Sequence, residues 1–234
     1  MSPNVHQIAE DEVHIWCVRL ERIDEDLARS EAILSADEIE RAQRYQFAHH
    51  RRRFIVARAR LREMLAEYLG RPAESIQIEY NAWGKPSLGA ETGADLRFNL
   101  SHTHDLAMYA FARKREVGVD IEAIDEKAAA GRVAENFFAA NEVAALRALP
   151  AEYQAEAFFN CWTRKEACVK ARGDGLSRDL KSFEVTLRPG EPAEIKRGAE
   201  WAGWSMFSIR PTAAHVAALV VEGVGIRVVG PRFR

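Results

Sequence analysis

The chain has 234 residues, a formal net charge of −2, 47% hydrophobic residues and 29% charged residues. These values are typical of a globular protein with one large domain or two small ones, and they argue against disorder and coiled coil. The small net charge argues against general nucleic-acid binding. No apolar run reaches the roughly 20 residues that a membrane span requires, so we expect no membrane partner.

The cysteines and the amino-terminal residues favour a cytoplasmic protein. Cys17, Cys161 and Cys168 are odd in number and lack the spacing of metal ligands, so we expect reduced, buried thiols. The first seven residues have neither the basic start nor the apolar stretch of a signal peptide. We therefore expect cytoplasmic localisation.

The charged residues are unevenly distributed along the chain. Eight arginines occur between Arg41 and Arg62, and an acidic stretch runs from Asp120 to Glu126. One basic and one acidic segment suggest an anionic ligand and a cation.

In the first half, residues 13–20 have the β-branched and aromatic character of a strand. The capping-box pattern from Ser35 to Glu38 predicts a helix start just after Ser35. A long helix is predicted from about residue 51 to 69, ended by Gly70 and Pro72. Its apolar face would contain Phe54, Ala57, Leu61, Leu65 and Tyr68.

Three more strands, 76–80, 96–100 and 106–112, complete the first half. After a strand at 116–124, helices are predicted at about 127–138, 141–149 and 152–172, and strands at 182–187, 204–209, 215–221 and 226–229. Each half thus has the order strand, helices, strands. The prediction is an α+β fold of two similar α/β halves, residues 1–115 and 116–234, each with a small sheet packed against helices.

The strand Val117–Glu122 carries the first informative motif. Side chains alternate along a strand, so Asp120 and Glu122 would share the face opposite the core, with Gly118 beside them. Carboxylates about 7 Å apart on one face can converge on a hard cation. Gly118 would leave room for a ligand to approach the backbone. Two solvated acids on a half-exposed strand are the alternative.

The predicted helix 152–172 carries Trp162, Glu166 and Lys170 at positions i, i+4 and i+8, so they form one stripe. The alternative is a solvated Glu–Lys pair, worth only about 0.3–0.5 kcal/mol. The bulky Trp162 favours partial burial instead. A half-buried carboxylate beside an ammonium suits a site for metal and phosphate.

Two polar turns could bind an anion. Gly84-Lys85-Pro86 combines a glycine that permits close backbone approach with a lysine that can contact a phosphate. Ser101-His102 ends a predicted strand with a hydroxyl and an imidazole. Each of these pieces alone is also compatible with an ordinary turn.

The order of the pieces is more specific than any one of them, and it resembles the Sfp-type 4′-phosphopantetheinyl transferases over residues 35 to about 187. The motifs are an Arg-rich helix, Gly84-Lys-Pro86, Phe98-Asn-Leu-Ser-His102, Gly118-Val-Asp-Ile-Glu122, Trp162-Thr-Arg-Lys-Glu166 with Lys170, and Gly173-Asp-Gly-Leu176. The resemblance implies two pseudo-symmetric halves with coenzyme A and Mg²⁺, or Mn²⁺, in the cleft between them.

The resemblance also implies roles for single residues. The metal ligands would be Asp120, Glu122 and Glu166, and the catalytic residues Glu166, Lys170 and Asp120. The cofactor-binding residues would be Arg41, Arg53, Gly84, Lys85, Pro86, Ser101, His102, Lys165 and Lys170. Arg41 stands where some members have a lysine, and Glu38 departs from a basic residue that contacts coenzyme A in some members.

The implied activity is transfer of the phosphopantetheine of coenzyme A to a serine of an apo carrier protein, with release of 3′,5′-ADP. Glu166 would accept the serine proton, directly or through water. The alternative is a catalytically silent coenzyme A- or nucleotide-binding regulatory module. The chain length implies the type with both halves in one chain, and hence a monomer. The sequence does not choose among acyl, polyketide and peptidyl carriers.

Overall fold

The structure, a computed structural model, describes residues 6–21, 26–129, 131–175 and 178–234. Its helices are α1 (Leu27–Ala32), α2 (Ala36–Gln43), α3 (Ala48–Leu69), α4 (Glu126–Ala129), α5 (Val133–Phe137), α6 (Ala140–Arg147) and α7 (Ala151–Arg172). Its strands are β1 (Glu12–Arg19), β2 (Ile78–Tyr80), β3 (Pro86–Leu88), β4 (Leu96–Thr103), β5 (Leu106–Arg113), β6 (Val117–Ala123), β7 (Glu184–Val185), β8 (Ile195–Arg197), β9 (Trp204–Thr212), β10 (His215–Glu222) and β11 (Arg227–Phe233).

Two sheets organise the strands. The first has the order β11-β1-β5-β4 and the second the order β6-β10-β9. Neighbouring strands are antiparallel, except that β11 runs parallel to β1. The pairs β2–β3 and β7–β8 form separate two-stranded sheets.

The two halves repeat the same order of elements. Each has a first strand (β1 or β6), a 22-residue helix (α3 or α7) and an antiparallel pair that completes its sheet (β4–β5 or β9–β10). Both long helices end at a glycine in the left-handed region, Gly70 and Gly173. The predicted α+β fold is confirmed. The boundary near residue 115 stays a prediction, and β11, from the second half of the chain, lies in the first sheet.

The sheets face each other across a shared apolar core. Val13, Ile15 and Cys17 of β1 and the inward side chains of β5 pack in one cluster with β6 and β10. The three apolar residues of the acidic motif (Val117, Val119 and Ile121) are fully buried there. This confirms the predicted alternation along β6, which leaves Asp120 and Glu122 on the opposite face.

Helix boundaries differ from the sequence-based expectation at two places. The basic helix begins at Ala48 rather than near Arg51, so its arginines lie beyond its first residues. The helix expected at 127–138 is two short helices, α4 and α5, and residue 130 between them lies outside the described residues. The capping box at Ser35 and the apolar face of the basic helix are confirmed.

None of the helices in these described ranges combines the length and apolarity needed to cross a membrane.

Candidate active site

The acidic strand β6 lies directly against helix α7. They cross at Gly118, where an added Cβ would lie 2.2 Å from the carbonyl oxygen of Ala167 and 2.2 Å from the nitrogen of Ala171. Glycine is required because the helix backbone contacts the strand backbone. The interpretation that Gly118 leaves room for a ligand is therefore wrong. It leaves room for α7, whose side chains then lie beside the two carboxylates.

The predicted stripe on α7 faces a cleft between the halves. Trp162, Glu166 and Lys170 are half-buried, whereas every other residue from 157 to 171 is buried. The ring of Trp162 packs edge-on against Phe137, with centroids 5.6 Å apart, and near-parallel to Phe158. The predicted partial burial of the stripe is confirmed.

Lys170 connects α7 to β6. Its ammonium donates to Oδ1 of Asp120 at 2.6 Å and to the hydroxyl of Ser101 at 2.8 Å. The Ser101 hydroxyl donates to the same Oδ1 at 2.8 Å. Asp120 is only 4% exposed, and its Oδ2 is buried without a hydrogen-bond partner in the described residues. A buried carboxylate oxygen without a donor is costly unless a ligand completes it.

The two other acids beside Asp120 are harder to ionise than usual. Burial raises the pKa of Glu122 to about 7, and the charge of Asp120 adds to the effect. Burial followed by the charge of Asp120 also raises the pKa of Glu166. One oxygen of Glu122 accepts from the Thr103 hydroxyl at 3.1 Å. Negative charge is therefore crowded at this edge of the cleft.

A divalent cation fits the chemistry of these acids. It would satisfy Oδ2 of Asp120 and offset the charge of Asp120, which adds to the effect of burial on the pKa of Glu122 and Glu166. As they stand in the described ranges, no three His, Cys, Asp or Glu side chains converge closely enough to form a metal site. Donor chemistry thus supports the predicted ligands, and their assignment stays a proposal.

The turn between β2 and β3 closes one end of the cleft. Gly84 has a φ of +82°, and the side chain of Asn81 accepts from the backbone N–H groups of Trp83 and Lys85 at 2.9 Å each. The amide of Asn81 then donates to the carbonyl of Gly173 at 3.0 Å. The structure thus brings the Gly84–Pro86 turn against the loop after α7. Leu176 of that loop motif lies outside the described residues.

The side chain of Lys85 bonds to Glu116 and to the end of α7. Its ammonium donates to Glu116 and to the carbonyl of Ala171, both at 2.5 Å. Glu116 also pairs with Arg97 at 3.3 Å. Lys85 therefore ties the turn to the end of α7, and it lines a pocket with Glu166 and Lys170. Its role in binding the cofactor stays a prediction.

The mouth of the cleft carries two exposed basic residues, Arg41 and His102, whereas the three acids lie deeper. Arg41 and His102 line it together with Asp120, Glu122 and Glu166, and the cleft has a volume of about 500 Å³.

His102 is exposed at this mouth, yet the surrounding atoms displace enough water to lower the pKa of its ring. The charges of Lys170, Arg53 and Arg41 strengthen that effect, although solvent screens an exposed ring. Arg53 itself donates to Glu21, with its Nε at 2.8 Å, so its guanidinium is already paired at the edge of the site.

Lys165 does not lie in the cleft, so the prediction that it binds the cofactor is corrected. Its side chain has no exposure, and its ammonium is 2.9 Å from a carboxylate oxygen of Glu142. It also donates to the carbonyls of Leu180 and Phe183 at 2.7 Å each. Lys165 is adjacent to Glu166 in sequence, but it lies about 100° around the helix, on the buried side.

Glu38, which departs from the family pattern, is structural. Its carboxylate is almost fully buried and accepts from Nε of Arg58 at 2.8 Å and Nε of Arg62 at 2.6 Å. Burial alone would raise the pKa of Glu38, but the two guanidiniums hold it below its usual range. The acid therefore fixes α2 on α3. Of the two α2 residues, Arg41 and not Glu38 lines the cleft.

The sequence analysis gave no role to Asn81, Asn99, Thr103 and Glu116, which all hold site elements in place. The signal available for two of them was alternation, because Asn99, Ser101 and Thr103 occupy every second position of β4. Asn81 precedes the Gly84–Pro86 turn, where asparagine is favoured for its side-chain bonds to the backbone. Nothing in the local pattern indicates Glu116.

Comparison with known proteins decides the family. Residues 21–114 match the description "4′-phosphopantetheinyl transferase, N-terminal", and residues 116–220 match "4′-phosphopantetheinyl transferase superfamily". The 4′-phosphopantetheinyl transferase HetI of Nostoc sp. strain PCC 7120 is 39% identical over 226 residues, which is 95% of this chain and 92% of that protein. The chain belongs to the 4′-phosphopantetheinyl transferase family.

More distant relatives carry the same description. The 4′-phosphopantetheinyl transferase psf-1 of Bacillus pumilus is 32% identical over 78% of each chain. The human L-aminoadipate-semialdehyde dehydrogenase-phosphopantetheinyl transferase is 30% identical over 67% of this chain and 53% of its own. A solved structure titled "Chronobacterium ammoniagenes ACPS-CoA complex" covers 46% of this chain and 95% of its own, with 17% identity and a TM-score of 0.36.

The resemblance to the Sfp-type transferases in the sequence motifs is thereby confirmed. Motifs of this transferase fall in both matched regions: the Gly84–Pro86 turn and Ser101-His102 in the first, and the β6 and α7 motifs in the second.

Proposed function

We propose that this transferase moves the 4′-phosphopantetheine group of coenzyme A to a serine hydroxyl of an apo carrier protein and releases 3′,5′-ADP. The observation that carries the proposal is the meeting of Asp120 and Lys170 at 2.6 Å, beside Glu166, in a cleft lined by both halves. A relative named as a 4′-phosphopantetheinyl transferase matches 95% of the chain at 39% identity.

Coenzyme A would bind with its phosphates at the basic mouth of the cleft. Arg41 and His102 line that mouth, and Arg53 is close enough for its charge to act on His102. The Gly84–Pro86 turn offers backbone close to the cleft, since Gly84 carries no side chain. Ser101 would contact a phosphate oxygen from the cleft floor.

Mg²⁺, or Mn²⁺ in its place, would be held by Asp120, Glu122 and Glu166. When bound, it would neutralise charge on the pyrophosphate of coenzyme A. Oδ2 of Asp120 and the carboxylate of Glu166 offer oxygens of the kind that this ion prefers.

The chemistry is phosphoryl transfer, which depends on positioning and charge stabilisation more than on covalent catalysis. The serine oxygen of the carrier attacks the β-phosphorus of coenzyme A. The bond between this phosphorus and the bridging oxygen breaks, and that oxygen leaves with 3′,5′-ADP. Lys170 lies in the cleft where its ammonium can offset the charge on the leaving phosphate. Glu166 would accept the serine proton, because burial raises the pKa of its carboxyl and makes it a better base.

A silent coenzyme A-binding regulatory module is the alternative function. Such a module would need the basic mouth of the cleft but not all four of Asp120, Glu122, Glu166 and Lys170. No observation favours it.

The remaining expectations belong to the same proposal. The partners would be coenzyme A and an acyl, polyketide or peptidyl carrier, without nucleic acid or membrane. The chain would act as a monomer in the cytoplasm. Both halves of the cleft come from one chain, which supports the monomer.

The experiment is to incubate the full chain with coenzyme A, Mg²⁺ and a panel of apo carriers, and to weigh each carrier by mass spectrometry. Gain of one phosphopantetheine identifies both the activity and the client. Tight binding of coenzyme A with no gain on any carrier would favour the silent module.

A further inference from the structure

Strands β4 and β6 lie side by side below the cleft, although they belong to different sheets. β4 is the last strand of the first sheet, and β6 is the first strand of the second. Over the described ranges, no backbone hydrogen bond joins the two strands. Because no backbone ladder joins β4 to β6, side-chain contacts set how these two strands meet.

Three polar side chains of β4 provide those contacts. Asn99, Ser101 and Thr103 occupy alternate positions, so all three face β6. They are 3%, 7% and 7% exposed, respectively. We call these three residues the β4 ladder. Since buried polar groups need partners, their bonds to β6 specify how the two strands meet.

The outer members of the β4 ladder make two different bonds. Oδ1 of Asn99 accepts from the backbone N–H of Val119 at 2.9 Å. It thus replaces the backbone carbonyl that a hydrogen-bonded neighbouring strand would supply. The Thr103 hydroxyl donates to Oε2 of Glu122 at 3.1 Å. In the described part of the chain Oε1 of Glu122 has no hydrogen bond, so the hydroxyl fixes one carboxylate oxygen and leaves the other open.

We propose that Thr103 is a positioning residue of this transferase, which orients the Glu122 carboxylate for a divalent cation, while Asn99 bonds the backbone of β6 beside it. The inference rests on the proposed function, since it assumes that Glu122 is a metal ligand. Hydrogen bonds to a ligating carboxylate restrict its orientation, and their loss typically weakens metal binding by about 10–100-fold.

The test is Thr103→Val, which removes the hydroxyl and keeps the shape. Mn²⁺ binding is measured by calorimetry on the full chain without coenzyme A, and transfer is measured as a function of Mg²⁺ concentration. We expect the Mn²⁺ dissociation constant and the Mg²⁺ concentration for half-maximal rate both to rise about tenfold. KM for coenzyme A at saturating Mg²⁺ should change less than about twofold, which separates a positioning role from general damage to the fold.

Two further variants sharpen the comparison. Thr103→Ser restores a hydroxyl and should return both metal constants to near the wild-type values. Thr212→Val is the matched control, because the Thr212 hydroxyl contacts His215 at 2.8 Å in the second sheet, outside the cleft. It should leave both constants unchanged.

The outcomes separate this inference from the proposed function. If wild-type protein loads a carrier but Thr103→Val binds Mn²⁺ as tightly as wild type, the positioning role is overturned and the function stands. If wild-type protein loads no carrier, the function fails, and the Mn²⁺ titration of Thr103→Val still decides the role of the hydroxyl. Equal weakening by Thr212→Val would also overturn the inference.

Discussion

The ammonium nitrogen of Lys170 lies 2.6 Å from Oδ1 of Asp120 and so joins helix α7 to strand β6 at the cleft. The two residues are 50 positions apart in the chain, and their meeting depends on Gly118, which lets the helix rest on the strand. A cation and an anion of the site are thus held together before any ligand binds. When ligands bind, Lys170 would contact a phosphate and Asp120 would contact the metal.

We expect Lys170→Met to fold normally and its kcat to fall by about 10²–10³-fold, because the positive charge that would stabilise the leaving phosphate is removed. Transfer to a carrier is measured by mass spectrometry, and folding by circular dichroism. Lys181→Met removes a lysine from an exposed position of the same half and should retain full activity. If Lys170→Met transferred at the wild-type rate, Lys170 would have no catalytic role.

Gly118→Ala should destabilise the protein by about 3 kcal/mol or more. The new methyl group would lie 2.2 Å from backbone atoms of α7, so the helix has to move. Urea unfolding gives the free energy of unfolding. Gly131→Ala is the control, since its added Cβ would have no contact closer than 3.5 Å, and it should change stability by less than about 0.5 kcal/mol. A similar small effect at Gly118 would contradict the packing described.

Glu38→Gln should cost about 3–5 kcal/mol of stability, because two buried guanidiniums lose their counter-charge. The lowered pKa of Glu38 means that its contribution is present above the ordinary value of 4.5 and is lost as pH falls below it. Glu40→Gln breaks only the exposed pair with Arg44 and should have almost no effect. If the two variants were equally stable, Glu38 would not be structural.

Without divalent ions, stability should fall as pH rises from about 4.5 to 7 because of Glu122. Its pKa is raised from 4.5 to about 7 in the folded protein. The folded state therefore keeps a proton that the unfolded state has lost, and each pKa unit is worth about 1.4 kcal/mol, which sets an upper limit of roughly 3 kcal/mol. Urea unfolding of wild type and Glu122→Gln at pH 5 and pH 7.5 measures this. A difference between the two proteins that stays constant with pH would contradict it.

Local patterns predicted the parts of the site that lie on a single element. Alternation along β6 separated Asp120 and Glu122 from the buried valines, and helical spacing placed Trp162, Glu166 and Lys170 on one half-buried stripe. In both cases the period of the backbone alone determines which side chains share a face.

Features that depend on two distant elements were not predictable in this way. The role of Gly118 follows from the contact with α7, and β11 joins β1 across almost the whole length of the chain. Lys165 was placed in the cleft because it lies in a motif, although its helical position is on the buried side. A helical projection of α7 would have separated it from Glu166.

The most direct test of the central claim is a single-turnover reaction of the full chain with coenzyme A, Mg²⁺ and an apo carrier, followed by intact-mass and nucleotide analysis. The account predicts one phosphopantetheine on the carrier serine and one equivalent of 3′,5′-ADP with wild type, and neither product with folded Asp120→Ala or Glu166→Ala. Near-normal transfer by either variant would contradict the assigned site. Absence of both products with wild-type protein on every carrier tested would contradict the function itself.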